Sequence, residues 1–186
     1  ANVAIASQNI AAEELGAFTG EISAEQLAEQ GVDFAIIGHS ERRTLFGETD
    51  EMIAKKLNVA KKSTLTPILC VGETGEEKEA GQSVAVVLQQ IAAALNGGVV
   101  GDSMIIAYEP VWAIGSGKTP TKTEIKTIVD AVRDVHGAEA RIVYGGSVSA
   151  DNVHAIISEA GCDGALVGKA SATVESLTAI CQAAVL

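Results

Sequence analysis

Aromatic residues make up only 3% of this 186-residue chain: three Phe, two Tyr and one Trp. Ala, Val and Ile are abundant instead, a composition suited to small-residue packing between helices and a buried parallel sheet. The chain lacks any apolar run near the roughly 18 residues of a membrane span, and no signal peptide opens it. It lacks excess positive charge. With 13 Lys and Arg against 24 Asp and Glu, the net charge is -11, which argues against a nucleic-acid surface and favours solubility. A local site can still take an anionic substrate. Cysteine is sparse too. Cys70, Cys162 and Cys181 are odd in number and lack metal spacing, so neither a disulfide framework nor a metal site is expected. A reduced, cytoplasmic setting follows from that usage. The chain opens on Ala1 without Met, an expectation of processing or cutting at that end.

What is present is an alternation. Short apolar runs recur at 3–6, 34–38, 67–71, 104–108, 141–144 and 165–168. Helical periodicity fills the intervals. It covers 25–30, opened by Ser23 and Gln26 in capping-box spacing, and 49–62. A long stretch at 76–95 carries Val84, Val87, Leu88 and Ile91 as a stripe. Further helices are predicted at 121–136, opened by Thr121 and Glu124, at 150–159 before Gly161, and at 173–184. This order reads as parallel βα units in one α/β domain over residues 1–186, either an open doubly wound sheet or part of a barrel.

In parallel α/β folds ligands sit at the C-terminal ends of strands. The run at 104–108 ends in a carboxylate, Glu109, then Pro110 and a loop with Gly115 and Gly117. That is a base on a rigid support joined to a lid. The run at 34–38 ends in His39, followed by a short helical turn at 40–46. A helix start beside an imidazole favours the neutral ring, which can polarise a carbonyl; a plain hydrogen-bonding histidine is the other reading. The last two runs end in the Gly-rich turns 144–147 and 168–171, whose backbone N–H groups can hold a phosphate. Base, electrophile, lid and phosphate turns make a reaction class: proton abstraction beside a carbonyl in a small phosphorylated substrate.

The stretches 16–22, 37–43, 69–74, 108–118, 144–148 and 163–168 occur in the order of, and closely resemble, triosephosphate isomerase. The resemblance implies a (β/α)8-type barrel and interconversion of dihydroxyacetone phosphate and glyceraldehyde 3-phosphate, a step of glycolysis and gluconeogenesis, with no cofactor and no metal. It implies Glu109 as base, His39 as electrophile and Glu41 as supporting acid. Gly115, Ser147 and Gly168, joined here by Lys169, would contact the phosphate. Pro110, Val111, Trp112, Ala113, Ile114, Gly115, Ser116, Gly117 and Lys118 would form the lid, latched by Tyr144 and Ser147. Ile114 and Leu166 would wall the base. The segment 8–22, with Phe18 and Thr19 near its tip, would dock into a partner subunit of a homodimer.

Two departures matter. A full barrel has eight strands and typically about 250 residues, whereas six runs are present. The resemblance therefore implies an incomplete or open barrel of about six βα units, truncated before its third strand. The family's Asn-x-Lys, which supplies a catalytic lysine, occurs nowhere in the chain. Lys169 stands where the family usually has a second glycine, either crowding the phosphate, restoring a positive charge, or pointing to solvent. The expectation is an isomerase homologue of weak or lost activity, or else a non-catalytic open-barrel module that self-associates through its sheet edges.

Overall fold

The six apolar runs become six parallel strands paired in chain order, each bonded only to its predecessor and successor. This is a computed structural model, and it describes residues 3–98, 104–116 and 118–185. The strands are β1 (Ala6–Ser7), β2 (Phe34–Ile37), β3 (Thr66–Val71), β4 (Ile105–Tyr108), β5 (Arg141–Tyr144) and β6 (Gly164–Ala165). Between them run α1 (Ala24–Glu29), α2 (Ser40–Leu45), α3 (Asp50–Lys61), α4 (Gly75–Glu79), α5 (Ser83–Leu95), α6 (Lys122–His136) and α7 (Val153–Ser158), with α8 (Val174–Ala184) at the end. Strands β1 and β6 are the two edges of the sheet, which does not close.

Strand side chains alternate between two faces. Ile37, Leu69, Ile106 and Ile142 lie side by side in register on the helix-covered face and are fully buried. They pack in one cluster with Ile53 and Leu57 of α3, Val87 and Ile91 of α5, and Ile125 and Val129 of α6. Each such side chain contributes about 1.5–3 kcal/mol by leaving water. The opposite face carries Ile68, Cys70 and Ala107, with Phe34, Ile36, Ile105, Val143 and Leu166 only half-buried around them. In a closed barrel this face is the packed interior; here it is a partly open apolar surface.

The long helix predicted over 76–95 is two helices. Thr74 and Glu77 form a capping box that starts α4, and the chain breaks at Gly81 with φ of +70° before α5 begins at Ser83. The apolar stripe belongs to α5 alone, and the polar α4 has no buried residue, so periodicity sets no boundary between the two. The first run shortens to Ala6–Ser7, the last pairs at Gly164–Ala165 rather than 165–168, and α7 starts at Val153, three residues later than the periodicity suggests. Capping boxes open α1 at Ser23–Gln26 and α6 at Thr121–Glu124, as the spacing predicts.

Candidate active site

Glu109 follows β4 on the inner, half-open face, in the row beyond Cys70 and Ala107. Its N–H donates to Val71 O at 2.7 Å and the Gly145 N–H donates to Tyr108 O at 2.8 Å, so the ladder carries Glu109 between Gly72 and Gly145. Both glycines are required there. A Cβ on Gly72 would lie 1.8 Å from the Glu109 carbonyl oxygen, and one on Gly145 would lie 2.7 Å from its Cγ. Gly145, expected only as part of a phosphate turn, thus has a second duty beside the carboxylate. Gly72 lies in the 69–74 stretch, but no local sequence signal marks this duty.

The Glu109 side chain is 2% exposed. Oε2 accepts the Ser40 N–H at 3.1 Å, and Oε1 has no hydrogen-bond partner but lies 3.3 Å from His39 Nε2. Burial raises the Glu109 pKa, against the lowering effects of His39, the Ser40 N–H and the Cys70 thiol that hydrogen-bonds it. The same burial, reinforced by Glu109, drives the Cys70 thiol pKa far up, so Cys70 is an inert neighbour of the carboxylate and not a nucleophile.

His39 is the N-cap of α2, and its Nδ1 accepts the Glu41 N–H at 3.2 Å. A nitrogen that accepts an N–H carries no proton, so the ring proton belongs on Nε2, the side facing Glu109. The pairing of base and imidazole, 70 residues apart in sequence, is therefore direct. Glu41 is exposed, its carboxylate 4.0 Å from His39 Nδ1. Helix α2 is held from below by a buried ion network. Glu48 accepts from Arg42 of α2 and from Lys56 of α3, and Lys56 also donates to Asn9 Oδ1 at 2.6 Å. Burial pushes the Glu48 pKa up, but the hydrogen bonds from Lys56 and Arg42 outweigh it and the net shift is down.

The predicted lid starts on firm ground. Val111–Ala113 form a turn of 3-10 helix, the Val111 N–H donates to Glu73 O at 3.0 Å, and Trp112 Nε1 donates to Glu73 Oε1 at 2.8 Å. Buried Glu73 also accepts from Tyr108 Oη at 3.2 Å. Gly115 has φ of +66°, a conformation that favours glycine, and Gly115, Ser116 and Lys118 are exposed; Gly117 lies outside the described residues. Of the two residues expected to latch the lid, Ser147 Oγ donates to Ala113 O at 3.0 Å, while Tyr144 Oη is buried beneath Gly146 without a hydrogen-bond partner. Gly168 is exposed with open space beside it, and Lys169 is exposed at the start of a 3-10 turn that Ser171 closes onto Gly168 O. Leu166 packs on the Ile68, Cys70 and Ala107 cluster, and Ile114 is half-buried. Phe18 is exposed in the protruding segment, beside Thr19.

Residues 1–184 match the family model of triosephosphate isomerase. The chain is 46% identical to the triosephosphate isomerase of Alcanivorax borkumensis, an alignment covering 98% of this chain and 77% of that protein. It is likewise 46% identical to the one of Carboxydothermus hydrogenoformans over 99% and 77%, and 45% identical to that of Klebsiella pneumoniae over 98% and 75%.

Proposed function

The chain belongs to the triosephosphate isomerase family, and on that premise we propose that its site interconverts dihydroxyacetone phosphate and glyceraldehyde 3-phosphate through an enediolate. The observation that carries this reading is the unpartnered Glu109 Oε1, 3.3 Å from His39 Nε2 at the open end of the sheet. In this reading Glu109 Oε1 removes the proton from the hydroxymethyl carbon and returns it to the neighbouring carbon. The His39 Nε2 proton stabilises the oxygen that gains charge and passes between the two substrate oxygens. Burial raises the basicity of Glu109, which strengthens its hold on a carbon-derived proton. The backbone N–H groups of Gly115, Ser147 and Gly168 hold the phosphate, with Lys169 as the nearest cation in that turn, and the lid of residues 110–118 excludes water. Glu41 supports the site from the exposed side of His39, and Phe18 and Thr19 dock into a second copy.

The 186 residues contain no Asn-x-Lys. A site without one preorganised cation at the developing oxyanion turns over roughly 100- to 1000-fold more slowly. The chain as it stands is therefore a slow isomerase. Turnover of glyceraldehyde 3-phosphate, assayed beside a full-length relative, is expected at that reduced level and is expected to vanish in Glu109→Gln. A rate equal to the relative's overturns the slow-enzyme part. A background rate unchanged by Glu109→Gln overturns the isomerase reading itself.

The half-buried apolar inner face and the two unpaired edges favour a second reading, a non-catalytic module that self-associates through β1 and β6. Catalysis and sedimentation behaviour discriminate the two.

A further inference from the structure

Helix α4 crosses beside the lid, and one of its side chains touches both sides of the lid's base. Lys78 Nζ lies 3.4 Å from the centroid of the Trp112 ring. The same Nζ lies 3.1 Å from Glu124 Oε1. Glu124 is the N3 residue of α6, and its other oxygen, Oε2, accepts the Thr121 N–H at 2.7 Å and the Thr121 hydroxyl at 2.9 Å. Thr121 is the cap that receives the chain as it leaves the lid. One carboxylate thus fastens the helix start with one oxygen and the lysine with the other. On the near side, the Trp112 indole is held at two points: Nε1 on Glu73 and the ring face under Lys78.

We infer that Lys78 is a positioning residue for the lid, its ammonium joining the lid's first turn at Trp112 to the start of α6 at Glu124. A cation over an indole face and a carboxylate on the same cation reinforce each other, because the ammonium's position satisfies both. Breaking either contact frees the other. The two bases of the lid are coupled in this way while Gly115, Ser116 and Lys118 between them are left exposed. The Glu124 carboxyl is held below its ordinary range, first by the Thr121 backbone hydrogen bond and further by Lys78, so the carboxylate stays charged at neutral pH.

Trp112 is the chain's single tryptophan, so its fluorescence reads this one site. Acrylamide quenching and excited-state lifetime are to be measured in the wild type, Lys78→Met, Lys78→Arg and Glu124→Gln. Methionine keeps the stem and removes the charge. Glutamine keeps a capping side chain on Thr121 and removes the anion. Lys78→Met is expected to raise the quenching constant at least two-fold, Lys78→Arg to restore the wild-type value, and Glu124→Gln to move Trp112 in the same direction as Lys78→Met. Quenching unchanged in Lys78→Met overturns the assignment. A response to Lys78→Met with none to Glu124→Gln overturns the coupling, leaving only a stacked lysine. The assignment rests on residues 110–118 acting as a lid, which glycerol 3-phosphate tests separately. Wild-type fluorescence that ignores this ligand sinks the lid reading, whatever the variants do. A ligand response identical in the wild type and Lys78→Met sinks the role of Lys78 alone.

Discussion

At Glu109 a carboxylate buried to 2% exposure receives one backbone N–H, from Ser40, while Oε1 makes no hydrogen bond and has His39 Nε2 3.3 Å away. Such a group destabilises the fold whenever it is charged. Its pKa is raised in the folded state, first by burial. The sign follows: its contribution to stability is fully present below the unfolded carboxyl pKa and is lost as pH rises through the folded one. Glu109→Gln removes the charge while keeping the shape. It is expected to stabilise the chain by on the order of 1 kcal/mol at pH 8, and to have little effect at pH 4, where the native carboxyl is already protonated. Thermal melts of both proteins at the two pH values check this; equal shifts at both overturn it. The same exchange that removes turnover thus strengthens the fold. Glu109 and His39 were legible in the sequence because each ends an apolar run. Gly72, Ser40 and Cys70 were not, because their importance comes from cross-strand register and from a helix start 69 residues away from Glu109. Tyr144 and Lys169 were legible as members of glycine-rich turns, but the direction of their side chains was not.

Helix α2 depends on elements that follow and precede it. Its Arg42 shares Glu48 with Lys56 of α3, and Lys56 reaches back to Asn9 after β1. Glu48 and Lys56 are both buried, so removing one leaves the other charge without compensation. Glu48→Ala is expected to cost about 3–5 kcal/mol in denaturant unfolding at pH 7. Because the Glu48 pKa is lowered on balance, the stabilisation exists above the ordinary carboxylate pKa of 4.5 and disappears as pH falls through the folded value. The loss measured for Glu48→Ala should therefore shrink in acid, with a slope opposite to that of Glu109. A penalty that is constant down to pH 3 would show that packing, not charge, holds this network. The sequence displayed the strands β2 to β5 and the capped helices well, since continuous β-branched runs and capping boxes are local signals. It concealed the α4–α5 break, since the stripe of Val84, Val87 and Ile91 begins only after Gly81 and the polar α4 has no apolar period of its own to set it apart. Only the Thr74–Glu77 capping box marks where α4 begins.

Over the whole molecule, the apolar surfaces divide unequally. The helix-covered face holds most of the fully buried side chains, whereas Phe34, Ile36, Ile105, Val143 and Leu166 remain half-buried on the inner face. Ile5, beside edge strand β1, is 57% exposed. An open edge next to such a face invites another strand. Sedimentation velocity is expected to show mass rising with concentration into the high micromolar range. Ile5→Lys, a change at an exposed position, should shift the population toward monomer without altering the melt. A wild-type monomer across that range removes the self-association reading. The strictly sequential strand order has a separate consequence, for biosynthesis. Each strand needs only its predecessor as a template, so a nascent chain can dock units one by one as they leave the ribosome. No partner strand at the far end of the described chain must be awaited, and the sheet can grow vectorially, like a zip closed from one side.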